Sequence, residues 1–401
     1  GYTGGGGGIE VGDAIALCYP SSGKRVSVSN ASALRSALSS ASPGDHIEVA
    51  PGSYSGNFEL KKNGTKNNPI VVKAANPSNP PKLSGRFRLE GDWGVLEGFE
   101  FTGSGGVNIQ GGDNNRATRN RWNNFKGRPV SVNKANGNRV DHNEFTNKNG
   151  GGQSIYFEVN RGDNNYGRNN RLDHNYLYNF PVASGNGHEP IYSGSGWGNW
   201  MNTNLMIDHN LLDKVGSESE IIGIKTSGNK IIGNTLINSP YPNGGSMSNR
   251  NGSNNLWKNN WIEGSRMSIH GKNNQVIGNY VKNGYIRLMR GNTTSDIVGN
   301  YRKNGGTVAK SCDGRSCWPR AENTLVAGNT APRIEVGFDF SDPWFTYPSL
   351  NTRLEANDAQ IKLGPKHEGT IQRDTTSVDV GTARKLTKGD VGRNASDSSC
   401  Q

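Results

Sequence analysis

The chain has 401 residues, 56 of them glycine, only 31% apolar, and a net charge of +11 from 45 basic against 34 acidic side chains. Glycine and the abundant asparagine disfavour helix interiors, which excludes an all-helical fold, and no run of about 18 apolar residues offers a membrane span. The basic excess favours a polyanionic partner. Its residues are scattered and form no basic amphipathic helix, RRM-like or zinc-finger signature, which favours an acidic polysaccharide over nucleic acid or a membrane.

In chain order, the opening "GYTGGGGG" reads as a mature terminus. A helical pattern with Ser29 or Asn30 as N-cap and apolar Leu34 and Leu38 follows, within a segment of about 12–43. Short apolar strands then recur: "VLEGFEF", "VDHNEF", "LDHNYL", "IDHNLL", "IIGNTLI", "VIGNYV" and "IVGNYR". Asn210, Asn234, Asn259, Asn279 and Asn300 step by 24, 25, 20 and 21 residues, the period of a solenoid. With no six-residue period, this predicts a right-handed parallel β-helix in one domain. Apolar side chains and corner asparagines stack coil on coil, and the early helix caps the open end. The expected divisions are the cap, coils over about 44–350, and a C-terminal extension over about 351–401. Cys312 and Cys317 in "SCDGRSC" have the spacing of a small disulfide loop, and Cys18 with Cys400 could tie the two ends together. Cysteines so used place the protein outside the cell. Sequons occur at Asn30, Asn63, Asn251, Asn292 and Asn394.

The coil period brings charges together. Lys225 and Arg250 are 25 residues apart, about one coil, and Asn186 and Glu218 are 32 apart, a coil plus an insertion that includes Trp197 and Trp200. Glu218 and Glu220 share a strand face, whereas strict alternation would turn Lys225 away. A bend or bulge near Gly223 is therefore expected, returning Lys225 to the face of the carboxylates. Two carboxylates and an amide oxygen suit calcium. Calcium beside a substrate carboxylate, with Lys225 as base and Arg250 neutralising charge or assisting the leaving group, is the chemistry of polysaccharide β-elimination. Glu218 and Glu220 as a pair leave a glycosidase as a lesser alternative.

Several stretches carry a resemblance: "SPGDHIEVAPGSYSGNF" (42–58), "NGTKNNPIVVKAANP" (63–77), "KLSGRFRLEGDWGVLEGFEFTG" (82–103), "SESEIIGIKTSGNKIIGNT" (217–235) and "KLTKGDVGRN" (385–394). They resemble polysaccharide lyase family 6, the alginate lyase and chondroitinase B family. The resemblance implies a right-handed β-helix that cleaves acidic polysaccharide by calcium-assisted β-elimination, with Lys225 as base, Arg250 as acid, and Asn186, Glu218 and Glu220 as calcium ligands. Alginate is the first substrate it implies, with dermatan or chondroitin sulfate next. The chain departs from the family pattern at Tyr192, where an arginine is usual, and at Asn251, where many members have histidine.

Glu189, Tyr192, Asn251, Arg266, His270, Arg287 and Arg290 are the expected substrate contacts, with Trp197 and Trp200 as stacking surfaces for sugar rings. The histidines of the "DHN" triplets, His142, His174 and His209, occupy a repeat corner and read as structural. A noncatalytic polysaccharide-binding β-helix and a uronate C5-epimerase are the other classes consistent with the pattern. Nothing in the sequence calls for a dimer, so a monomer is expected.

Overall fold

The computed structural model describes residues 23–159, 166–194, 201–295, 316–338 and 343–397. Strand follows strand into a right-handed parallel β-helix. One sheet of fourteen strands runs in unbroken chain order from Arg25–Val28 to Ile371–Arg373. Most of the other strands form two ladders that join at the long strands, and the later coils add a separate four-stranded sheet, Gly271–Lys272, Ala321–Glu322, Ser349–Leu350 and His367–Glu368. One ladder begins at Ser53–Tyr54 and the other at Phe58–Leu60, and each coil adds a strand to both. Coils therefore start before residue 44 and continue past 350, to Arg373. Among the described residues, no helix is long and apolar enough to cross a membrane.

The expected capping helix, α1, spans Ala31–Ser40 with Asn30 as N-cap, its side-chain oxygen accepting the Ala33 N–H at 2.8 Å. Leu34, Ala37 and Leu38 are buried against the first coils. Inside the solenoid, inward side chains stack at the coil spacing. Phe101, Trp122 and Phe145 lie ring on ring with centroids 4.8 and 4.6 Å apart.

Corner asparagines form the expected column, with one change of position and one gap. Asn120, Asn143, Asn175, Asn210, Asn234, Asn260, Asn279, Asn329 and Asn357 each pass a hydrogen bond to the next, backbone N–H to side-chain Oδ1. Asn260 occupies the rung expected for Asn259, which instead takes the left-handed corner conformation at φ 55. Asn300 lies outside the described residues. The buried amides satisfy corner N–H and C=O groups that no sheet partner reaches.

On the neighbouring corner, Arg116, Arg139 and Arg171 each reach the aspartate one coil on, Asp141, Asp173 and Asp208. His142, His174 and His209 stack beside them at 5.0 and 5.2 Å, each Nδ1 bonded to the preceding aspartate. After Arg373 the chain turns back along the solenoid as a strap. It passes Asn259, Thr235, His174 and finally Arg116. Cys18, Cys312 and Cys400 lie outside the described residues, and with them the expected disulfide pairings.

Candidate active site

On the ladder that begins at Phe58–Leu60, outward positions form a column. Tyr156, Tyr192, Gly223, Ser248, Ser268 and Arg287 sit directly above one another. The strand Glu220–Ile224 breaks alternation at one point: its register against Ser246–Asn249 shifts between Glu220 and Ile222. Ile221 and Ile222 are both fully buried in the core, as is Ile224. Two consecutive inward isoleucines leave Glu220, Gly223 and Lys225 on the outer face. The expected bulge is present, at Ile221 rather than near Gly223. A Cβ on Gly223 would lie 3.3 Å from the Tyr192 ring and 3.4 Å from a Glu220 oxygen, so glycine keeps open the notch between them.

Beside the bulge, Glu189, Glu218 and Glu220 each present a carboxylate oxygen within 4.8 Å of the others. Glu218 is held by the backbone, its Oε2 accepting the N–H groups of Gly187 and His188 at 2.8 and 2.7 Å. Asn186, which is exposed, immediately precedes these donors. Glu189 is buried, and its Oε2 has no hydrogen-bond partner. Burial, then the charge of Glu218, pushes the Glu189 carboxyl up to about 7. Burial also raises Glu218, with Glu220 adding to it while the two backbone donors oppose. Three hard oxygen donors crowded together, one of them buried without a partner, fit a divalent cation such as calcium.

Lys225 and Arg250 follow the paired residues Ile224 and Asn249 and so occupy equivalent places on neighbouring coils. Backbone bonds continue the ladder through both, Lys225 N–H to Ser193 O at 2.9 Å and Arg250 N–H to Ile224 O at 2.8 Å. The Lys225 Nζ lies 5.0 Å from the centre of the Tyr192 ring. Burial lowers the Lys225 pKa; Glu220 opposes that shift and Arg250 reinforces it. Arg250 lies with Nε 3.8 Å from Glu220 Oε1, and burial pushes its guanidinium down to about 10. Lys225 and Arg250 thus stand on adjacent coils beside the cluster of Glu189, Glu218 and Glu220.

The family model for chondroitinase B matches residues 101–341, well over half of the chain and all of this site. The chain belongs to the chondroitinase B family. Among solved structures, the family 6 polysaccharide lyase Pedsa3628 from Pseudopedobacter saltans is similar at 20% identity and a TM-score of 0.73, over 92% of this chain and 99% of that one. A mannuronic-acid-specific family 6 lyase from human gut microbiota is similar at 21% and 0.70, over 86% of this chain and 83% of its own. The family 6 alginate lyase AlyGC is similar at 19% and 0.71 over 91% of this chain, which spans only 54% of AlyGC's length. No curated protein matches the chain.

The remaining expected contacts of this family member divide by position. Tyr192 lies in the notch, its ring 5.1 Å from Tyr156. Glu189, expected among the substrate contacts, instead joins the carboxylate cluster. Asn251 is only 2% exposed and accepts a hydrogen bond from Arg250, which fits neither a sugar contact nor a glycan acceptor. His270 is buried, its Nδ1 2.7 Å from Pro319 O. Arg266 donates to Gly244 O at 3.1 Å, and Arg287 is paired with Glu335 at 2.6 Å. Arg290 follows the strand Tyr285–Met289, its N–H bonded to Phe338 O. Trp197 and Trp200 lie outside the described residues. Sequence reasoning missed Trp318, whose ring lies 3.0 Å from the Arg250 guanidinium carbon. The one available signal was the unusually long interval from Asn279 to Asn329, a single rung of 50 residues.

Proposed function

We propose that this protein is a secreted, monomeric polysaccharide lyase that cleaves alginate by calcium-assisted β-elimination. The observation that carries the reading is the placement of Lys225 and Arg250 on adjacent coils beside the Glu189, Glu218 and Glu220 carboxylates. Asn186 and the three glutamates would hold calcium, whose charge neutralises the uronate carboxylate and so acidifies the adjacent C5–H.

Lys225 takes the C5 proton. Burial lowers its pKa, which makes the neutral amine more accessible than that of an exposed lysine. The C5–H electron pair forms the C4–C5 double bond as the C4–O bond breaks. Arg250 donates a proton to the departing oxygen and recovers one from solvent; burial brings its guanidinium closer to a usable donor than an exposed arginine. The products are a new chain end at the departing oxygen and an unsaturated uronyl residue. Tyr192, ring against Lys225, borders the notch where the uronate ring would sit. The cluster suits a glycosidase less well, since its carboxylates converge on a common point instead of facing each other across a bond. Alginate is supported by the alginate lyases among the structures of similar fold.

The test is the near-ultraviolet absorbance of the unsaturated product on poly-mannuronate, poly-guluronate, dermatan sulfate and polygalacturonate, with and without chelator. A rise on an alginate block that chelation abolishes is the expected result. A rise on dermatan sulfate alone would replace the substrate, and no rise on any polymer would overturn the lyase reading.

A further inference from the structure

Between Asn279 and Asn329 the solenoid spends 50 residues on one rung, where the rungs before and after take 19 and 28. The end of this insertion returns across the outer face of the site. Trp318 is pinned there through its backbone: its N–H donates to Asn292 Oδ1 at 2.7 Å, and its carbonyl accepts the Asn292 N–H at 3.0 Å. Asn292 Nδ2 also holds Ser316 O at 2.8 Å. The next residue, Pro319, is held by His270, whose Nδ1 must carry the proton because a carbonyl only accepts. The indole packs against the His270 ring, 5.2 Å away, and Phe345, 5.8 Å away, which are themselves 6.4 Å apart.

Two groups of this segment, a ring face and a backbone carbonyl, meet one side chain of the site. The Arg250 guanidinium carbon lies 3.0 Å over the Trp318 ring, and its Nη1 donates to Cys317 O at 3.2 Å and to Asn251 Oδ1. A free arginine side chain samples many rotamers, and a proton donor contributes only if its N–H is already aimed at the leaving oxygen. A flat aromatic face sets the plane of a guanidinium, and a carbonyl at one edge sets its rotation in that plane.

We propose that Trp318, fixed by His270 and Asn292, is a positioning residue for Arg250: the inserted segment holds the guanidinium in the orientation that protonates the leaving oxygen. This rests on the assignment of Arg250 as the proton donor. A packing role alone would not concentrate a ring face and a backbone carbonyl on one catalytic cation.

The test compares Trp318→Phe, which keeps an aromatic face, with Trp318→Leu, which keeps apolar bulk without one. Both are made in the wild-type and Arg250→Lys backgrounds, with melting temperature measured throughout and Arg250→Ala as reference. Phe is expected to stay within about 3-fold of wild-type kcat, while Leu loses about 10- to 30-fold in kcat with little change in KM. In the Arg250→Lys background the two should differ by less than about 2-fold, because the planar partner is gone. Equal kcat for Phe and Leu, or the same Leu penalty in both backgrounds, would overturn the positioning role. Wild-type kcat in Arg250→Ala would instead remove Arg250 as the donor, a separate failure.

Discussion

Lys225 stands on the outer face, outside the apolar core, so the proposed base can be removed at little cost to folding. Lys225→Ala is therefore expected to cut turnover by at least about a thousandfold while leaving the melting temperature within about 2 °C of wild type; product absorbance and a thermal melt check both. With the neutral amine as the proposed working form, kcat should fall as pH drops. The limb should lie below the ordinary lysine range, since burial lowers this pKa; a limb at the pKa of an exposed lysine would remove Lys225 as base. Glu189, expected among the substrate contacts, takes a different place on seeing its neighbours. A carboxyl raised to about 7 beside Glu218, with a buried oxygen lacking a partner, suits the proposed calcium site. Glu189→Gln keeps the shape and removes the charge, and should weaken calcium binding by about tenfold or more in calorimetry. Unchanged affinity would return Glu189 to the substrate contacts.

At the scale of an element, the asparagine column explains how so polar a chain sustains a buried solenoid. Asn210 accepts the Asn175 N–H and donates to Leu172 O and Asn234 Oδ1, so truncating it removes partners from the coils on either side. Asn210→Ala should cost about 3 kcal/mol or more in urea denaturation, at about 1–3 kcal/mol for each buried group left unpaired. The period of this column was legible in the sequence, because coil stacking demands an amide at each corner. The choice between Asn259 and Asn260 was not legible: adjacent identical residues differ only in which takes the left-handed corner. The bulge was legible as a need, since Glu220 and Lys225 had to share a face. Its place was not, because "EIIGI" offers two isoleucines and a glycine, and only core packing decided that both isoleucines turn inward.

Over the whole molecule, the strap after Arg373 ties coils far apart in sequence. Leu386 and Val391 bury themselves against Tyr176 and Leu211, on the ladder that does not carry Lys225. Leu386→Ala should loosen the strap, seen as faster limited proteolysis of the 374–397 segment, with kcat unchanged because the catalytic face is elsewhere; a loss of kcat would show that the strap supports the site. Composition, period and the Glu218–Lys225 spacing by themselves determined a parallel β-helix with two carboxylates beside a lysine. Those signals are local or repeat at a constant interval, which is all that a linear pattern can carry. Tertiary structure alone decided that Glu189 joins the carboxylates and that Trp318 covers Arg250. Both depend on insertions of irregular length, and where an insertion returns is set by the surface it packs against rather than by any spacing along the chain.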